Sequence, residues 1–117
     1  MKKTYIKNSA EILADLYTVV LSRKDHPRAD SYVCRLLDRG KEKIHEKIRE
    51  ESEELVEASD RSSREEIVHE MADLWFHCAV LLGTWNIPPQ EIFDELARRW
   101  GRSGLTEKAN RKQNATR

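Results

Sequence analysis

Glu51 and Glu54, together with Glu70 and Asp73 further along the chain, are the residues whose types and phase could do chemistry. Over residues 42–59 the apolar positions Ile44, Ile48 and Leu55 recur at helical spacing, and Glu51 occupies the middle of their stripe. At about 100° per residue, Glu54 and then Glu50 fall on one flank of it. The next segment repeats the anomaly. Ile67, Met71, Leu74, Cys78 and Leu81 form an apolar line, and Glu70, Asp73 and His77 crowd one edge of it. A carboxylate turned towards a core is costly unless it is paired, protonated or bound to a cation. Two successive helices that both carry acid at the core edge therefore suggest one shared site, most simply for a divalent metal.

The donor set narrows the metal. Four or more oxygen ligands without cysteine suit Mg²⁺ or Mn²⁺ rather than zinc. Spacing alone carries little here, because Glu-x-x-Glu recurs at Glu50/Glu53, Glu51/Glu54 and Glu54/Glu57. Phase is the informative property. Glu42-x-x-His45 and Glu66-x-x-His69 have the spacing of a di-iron motif, but each pair points away from its helix's apolar stripe. His77 reads as a hydrogen-bonded partner of the acids rather than as a ligand.

The elements that must position these acids are helices. Asn8 and Glu11 have capping-box spacing and open a first helix that buries Leu13, Leu16, Tyr17 and Val20 and stops near Lys24. A second begins at Asp30 or Ser31, buries Tyr32, Val33, Leu36 and Leu37, and closes at a left-handed Gly40. The third, roughly 41–59, and the fourth, roughly 64–84, carry the acids and are joined by a short turn, so they pack antiparallel with the two clusters opposed. Ser63 and Glu66 form a second capping box. Pro89 starts a fifth helix, 89–100, whose Ile92, Phe93, Leu96 and Trp100 face inward, and Gly101 ends it. Ser103-Gly104-Leu105 leads to one more turn.

No strand pattern or repeat interrupts this series, so the 117 residues read as one all-α domain with loose ends at 1–7 and 113–117. The composition is 38% hydrophobic and 36% charged, which leaves little core for one chain and favours a bundle completed by homodimerisation. Twenty-one basic and 21 acidic residues cancel to zero net charge, so no bulk field points to nucleic acid or an anionic membrane. No apolar run approaches the ~20 residues of a membrane span, and no signal-peptide core opens the chain. Cys34 and Cys78 read as reduced thiols. A cytoplasmic protein is expected.

Glu50-Glu51-x-x-Glu54, followed after fifteen residues by Glu70-x-x-Asp73, resembles the metal-binding signature of the all-α nucleoside-triphosphate pyrophosphohydrolases. Within that superfamily the chain is most similar to the phosphoribosyl-ATP pyrophosphohydrolases of histidine biosynthesis. The resemblance runs from Leu16-Tyr17 and Arg23-Lys24, through Ser31-Tyr32, Leu36 to Gly40, Lys47 to Val56 and Glu70 to His77, to Glu95-Leu96-x-Arg98-Arg99. Ser103-Gly104, Glu107-Lys108 and Arg111 continue it and separate the family from its superfamily. Arg49, Glu53 and Cys78-Ala79 depart from the usual pattern, and Glu53 adds an acid beside Glu54.

The resemblance implies a homodimeric bundle that hydrolyses phosphoribosyl-ATP to phosphoribosyl-AMP and pyrophosphate. It implies Glu51, Glu54, Glu70 and Asp73 as metal ligands and Glu50 as a further ligand or a base for the attacking water. Lys47, Arg102, Lys108 and Arg111 are expected to meet the substrate's phosphates. Two other readings compete with it: a general nucleoside-triphosphate pyrophosphohydrolase and a non-catalytic helical dimerisation module.

Overall fold

The structure, a computed structural model, describes residues 11–101 as five helices with no strand among them. These are α1 (Glu11–Asp25), α2 (Tyr32–Arg39), α3 (Lys41–Asp60), α4 (Arg64–Trp85) and α5 (Pro89–Trp100). The expected cap at Asn8, the turn after Gly104 and both loose ends lie outside the described residues.

Local chemistry sets the helix boundaries. The Ser31 side chain accepts the Cys34 backbone N–H and starts α2, and the Ser63 side chain accepts that of Glu66 and starts α4. The second capping box is only half formed. The Glu66 carboxylate pairs with Arg61, and the Ser63 N–H donates to the Ala58 carbonyl instead. Gly40 stops α2 with a positive φ of 86°, but its ψ of −177° is extended rather than left-handed helical. The reason is that Gly40 serves two helices: its N–H donates to Leu36 and Leu37, and its carbonyl accepts from Lys43 and Ile44 at the start of α3. Asn86 adopts the left-handed conformation that ends α4, and Pro89 occupies the first turn of α5.

The core lies among the first four helices. Val20, Val33, Leu36, Ile44 and Val80 are buried, with Leu37, Ile48, Phe76 and Leu81 packed against them. Burying each large aliphatic side chain contributes about 1.5–3 kcal/mol. α3 and α4 share the most extensive contact in the fold, as the three-residue turn between them requires. α1 crosses α4 closely where Val20 meets Gly83.

Two expected faces are not buried in the single chain. Ile92, Leu96 and Trp100 are 43%, 48% and 43% exposed, and among the described helices α5 packs mainly on α1. Tyr32 is 42% exposed and stands at the rim of the α2–α4 contact rather than within it.

A Cβ built on Gly83 would lie 2.3 Å from Val20 Cγ1, and Val20 is fully buried and stiff. Gly83→Ala should therefore destabilise the fold by about 1–3 kcal/mol. The measurable outcome is a melting temperature lower by roughly 4–8 °C per kcal/mol. Val20→Ala in the same chain should recover part of that loss.

Candidate metal centre

Glu51 sits on α3 between Ile48 and Leu55 and is 4% exposed. The helical phase that buries Ile44 also turns Glu51 into the seam with α4, as the sequence pattern predicts. One turn on, Glu54 lies at the solvent edge, and Glu70 approaches from the first half of α4. One carboxylate oxygen from each of Glu51, Glu54 and Glu70 can be chosen so that all three lie within 4.8 Å of one another. Glu70 belongs as well to a second group of the same kind with His69 and Asp73. The antiparallel pair thus brings the expected acids together, although Asp73 joins the set through Glu70, and its Oδ2 lies 3.3 Å from His69 Nε2.

Burial holds the Glu51 carboxyl at a pKa of about 7. A hydrogen bond with Glu54 and the negative charge of Asp73 push in the same direction, while the Lys47 ammonium pulls against them. That ammonium lies 3.4 Å from Glu50 and 3.7 Å from Glu51. Burial works against its charge, but the bond to Glu50 and the charges of Glu50 and Glu51 outweigh burial and raise its pKa. Glu50 itself is exposed and turned towards Lys47 rather than into the three-oxygen group. Glu53 is exposed and enters neither group.

Such a set fits a hard divalent cation. Convergent carboxylates with too little positive charge among them hold a proton where a cation could stand, and all the donors in the first group are oxygen.

His77 is buried beside the acids, and its hydrogen bonds go to a backbone carbonyl and a tyrosine rather than to a carboxylate. Its Nδ1 lies 2.9 Å from the Asp73 carbonyl oxygen and 3.7 Å from Glu51 Oε1, and its Nε2 lies 3.0 Å from the Tyr32 hydroxyl. Tyr32 is the residue that helical periodicity missed. Periodicity puts it on the buried face of α2, but its partner lies 45 positions away, so no local pattern could link them. Arg102, Lys108 and Arg111 lie outside the described residues.

Residues 13–100 match the model of the phosphoribosyl-ATP pyrophosphohydrolase family. A phosphoribosyl-ATP pyrophosphatase of Geotalea daltonii is 48% identical over 101 residues, spanning 86% of this chain and 95% of the relative. That of Nitrosomonas eutropha is 42% identical over 107 residues, 92% of each chain. That of Neisseria meningitidis is 41% identical over 100 residues, 86% of this chain and 94% of its own.

The raised pKa of Glu51 has a sign that can be tested. The folded chain holds this proton up to about pH 7, whereas an ordinary glutamate releases it near 4.5. Between those values the folded state binds more protons than the unfolded state, so the stability this group adds at low pH is lost as pH rises towards and past 7. Thermal melts in chelator should show a melting temperature that falls between roughly pH 5 and pH 8. Glu51→Gln should flatten that slope, and added Mg²⁺ should raise the high-pH end by binding the folded state alone.

Proposed function

We infer the function from one premise: the chain belongs to the phosphoribosyl-ATP pyrophosphohydrolase family. It hydrolyses phosphoribosyl-ATP to phosphoribosyl-AMP and pyrophosphate, the second step of histidine biosynthesis. A water oxygen bonds to the α-phosphorus, the α–β bridging bond breaks, and its electron pair leaves on pyrophosphate. Metal dependence and the residue roles that follow are our proposal. The convergence of the Glu51, Glu54 and Glu70 oxygens across the α3–α4 seam is the observation that carries it.

Glu51, Glu54, Glu70 and Asp73 hold the cation, with Mg²⁺ favoured and Mn²⁺ a substitute, since both take oxygen ligands and leave positions for phosphate and water. When bound, such a cation neutralises charge on the phosphates and polarises the attacking water. Glu51 enters this arrangement by giving up the proton that burial lets it keep. Glu50, exposed beside the cluster, accepts the proton released by water or adds a carboxylate oxygen to the set. The Lys47 ammonium, shared between Glu50 and Glu51, is placed to meet a phosphate oxygen when one arrives. Arg102, Lys108 and Arg111 supply further cations for the 5-phosphate of the second ribose, which distinguishes this substrate from ATP.

We also propose that the working unit is a homodimer of single-domain chains. α4 turns its acids into the seam with α3 and leaves Val68 and Trp75 63% and 54% exposed elsewhere on its surface. Trp75, Leu82, Ile92, Phe93 and Leu13 line one continuous apolar groove between α4, α5 and α1. An apolar surface of this kind is characteristic of a subunit interface. The reading places the protein in the cytoplasm, where Cys34 and Cys78 remain free thiols. None of the described helices is long and apolar enough to cross a membrane.

Pyrophosphate release from phosphoribosyl-ATP should require Mg²⁺ and should far exceed release from ATP or dCTP. Glu70→Gln should lower kcat/KM by about 100-fold, because it weakens the hold on the cation that stabilises charge in the transition state. Comparable turnover of all three nucleotides would mean a general pyrophosphohydrolase instead. For assembly, sedimentation at low micromolar concentration should give twice the 13.7 kDa chain mass. Trp75→Glu should shift it to one chain, because an unpaired charge in a closed apolar interface is strongly unfavourable.

A further inference from the structure

His77 makes contacts that reach three helices, and the acid ligands do not by themselves account for them. Its ring is 4% exposed, and both nitrogens are engaged. A backbone carbonyl can only accept, so Nδ1 carries a hydrogen and donates it to Asp73 O at 2.9 Å. In the neutral ring Nε2 is then an acceptor, and the Tyr32 hydroxyl donates to it at 3.0 Å. Glu51 Oε1 lies 3.7 Å from the same Nδ1. Tyr32 in turn is held by its ring, which stacks on Phe76 at 5.9 Å between centroids with 21° between planes. The imidazole meets Phe76 edge-on at 5.1 Å.

We propose that Tyr32 and His77 are a positioning pair for the metal centre, in which Tyr32 on α2 and the Asp73 carbonyl of α4 fix the imidazole, and the buried ring, 3.7 Å from Glu51 Oε1, limits by contact how that carboxylate on α3 can turn. The inference rests on the reading of the acids as metal ligands. Its physical basis is that a ligand acts at full strength only when its neighbours hold its orientation before the ion arrives. Glu51 is well suited to such control, since it is 4% exposed and has the buried imidazole 3.7 Å away. Among the described residues Tyr32 hydrogen-bonds His77 and none of the four acids, so the route proposed for its effect is through the imidazole.

Tyr32→Phe removes one hydroxyl and keeps the ring that stacks on Phe76, so it tests the pair without emptying space. The melting temperature in chelator should stay near that of the parent chain. Mn²⁺ affinity, read by paramagnetic resonance of the free ion, should fall about 10-fold, the lower end of what orienting partners contribute. At saturating metal, kcat should fall while KM for phosphoribosyl-ATP holds. His77→Asn keeps a donor for the Asp73 carbonyl but cannot reach Tyr32, so it should lose as much affinity, and the double variant should be no worse than His77→Asn alone. Nitrogen-15 spectra of the parent protein should show His77 protonated at Nδ1 and bare at Nε2.

Additive losses, a ring protonated at Nε2, or unchanged Mn²⁺ affinity in Tyr32→Phe would each overturn the pair while leaving the metal centre intact. A rise in KM with kcat unchanged would make Tyr32 a substrate contact and overturn it too. Failure of the parent chain itself to take up Mn²⁺ would remove the centre, and the inference with it.

Discussion

A carboxylate closed into the seam between two helices is the constraint from which most of this fold follows. Glu51 cannot sit there as a bare anion without cost, so its neighbours must supply a proton, a counter-charge or a cation. Lys47 offers part of a counter-charge from one turn before, and Glu54, Glu70 and Asp73 add more negative charge from the other side. The cluster is thus poised: electrically unfavourable when empty and deprotonated, and relieved by a divalent ion. On the proposed reading, the repulsion stored at this seam favours a hard, doubly charged guest.

The rest of the architecture supplies that seam with rigidity. The three-residue turn after α3 and the Ser63 cap at the start of α4 fix how the two helices lie against each other, and Ile44 and Val80 close the core alongside. The surface ion pairs Arg61–Glu66 and Glu95 with Arg98 and Arg99 add little by comparison, because exposed pairs lie in high dielectric. α4 does double service. Its acids meet α3, while Val68 and Trp75 stand exposed on its remaining surface. On the proposed reading, such a helix would tie catalysis and assembly to the same backbone.

Much of this was legible in the sequence because it is written in helical phase. The interruption of Ile44, Ile48 and Leu55 by Glu51 marked the buried acid, and the turn length between α3 and α4 placed Glu54 opposite Glu70. The five described helices follow from periodicity, and Ser31, Ser63, Gly40 and Pro89 set boundaries where the sequence expects them. Phase gives no account of what lies beyond one chain or across distant helices. Ile92, Leu96 and Trp100 form a regular apolar stripe, yet all three stay more than two-fifths exposed. Tyr32 fits the apolar periodicity of α2, yet its hydroxyl is drawn to a histidine 45 residues later and its ring stays at the rim. The Ser63–Glu66 spacing was right for a reciprocal cap, but Arg61 offers Glu66 a charged partner and takes it away.

Gly40 joins α2 to α3 with no residue to spare, ending one helix and beginning the other at a φ of 86° that only glycine adopts readily. Each residue of a helix turns the chain by about 100° and advances it about 1.5 Å. One residue inserted or deleted at this joint would therefore swing Tyr32 to a different side of the bundle from Glu51. Among the described residues, the stretch from His26 to Ser31 is the longest between helices. Extra length between α1 and α2 would leave that spacing untouched, whereas a residue added at Gly40 would change it, so the joint acts as a ruler between the hydroxyl and the acid.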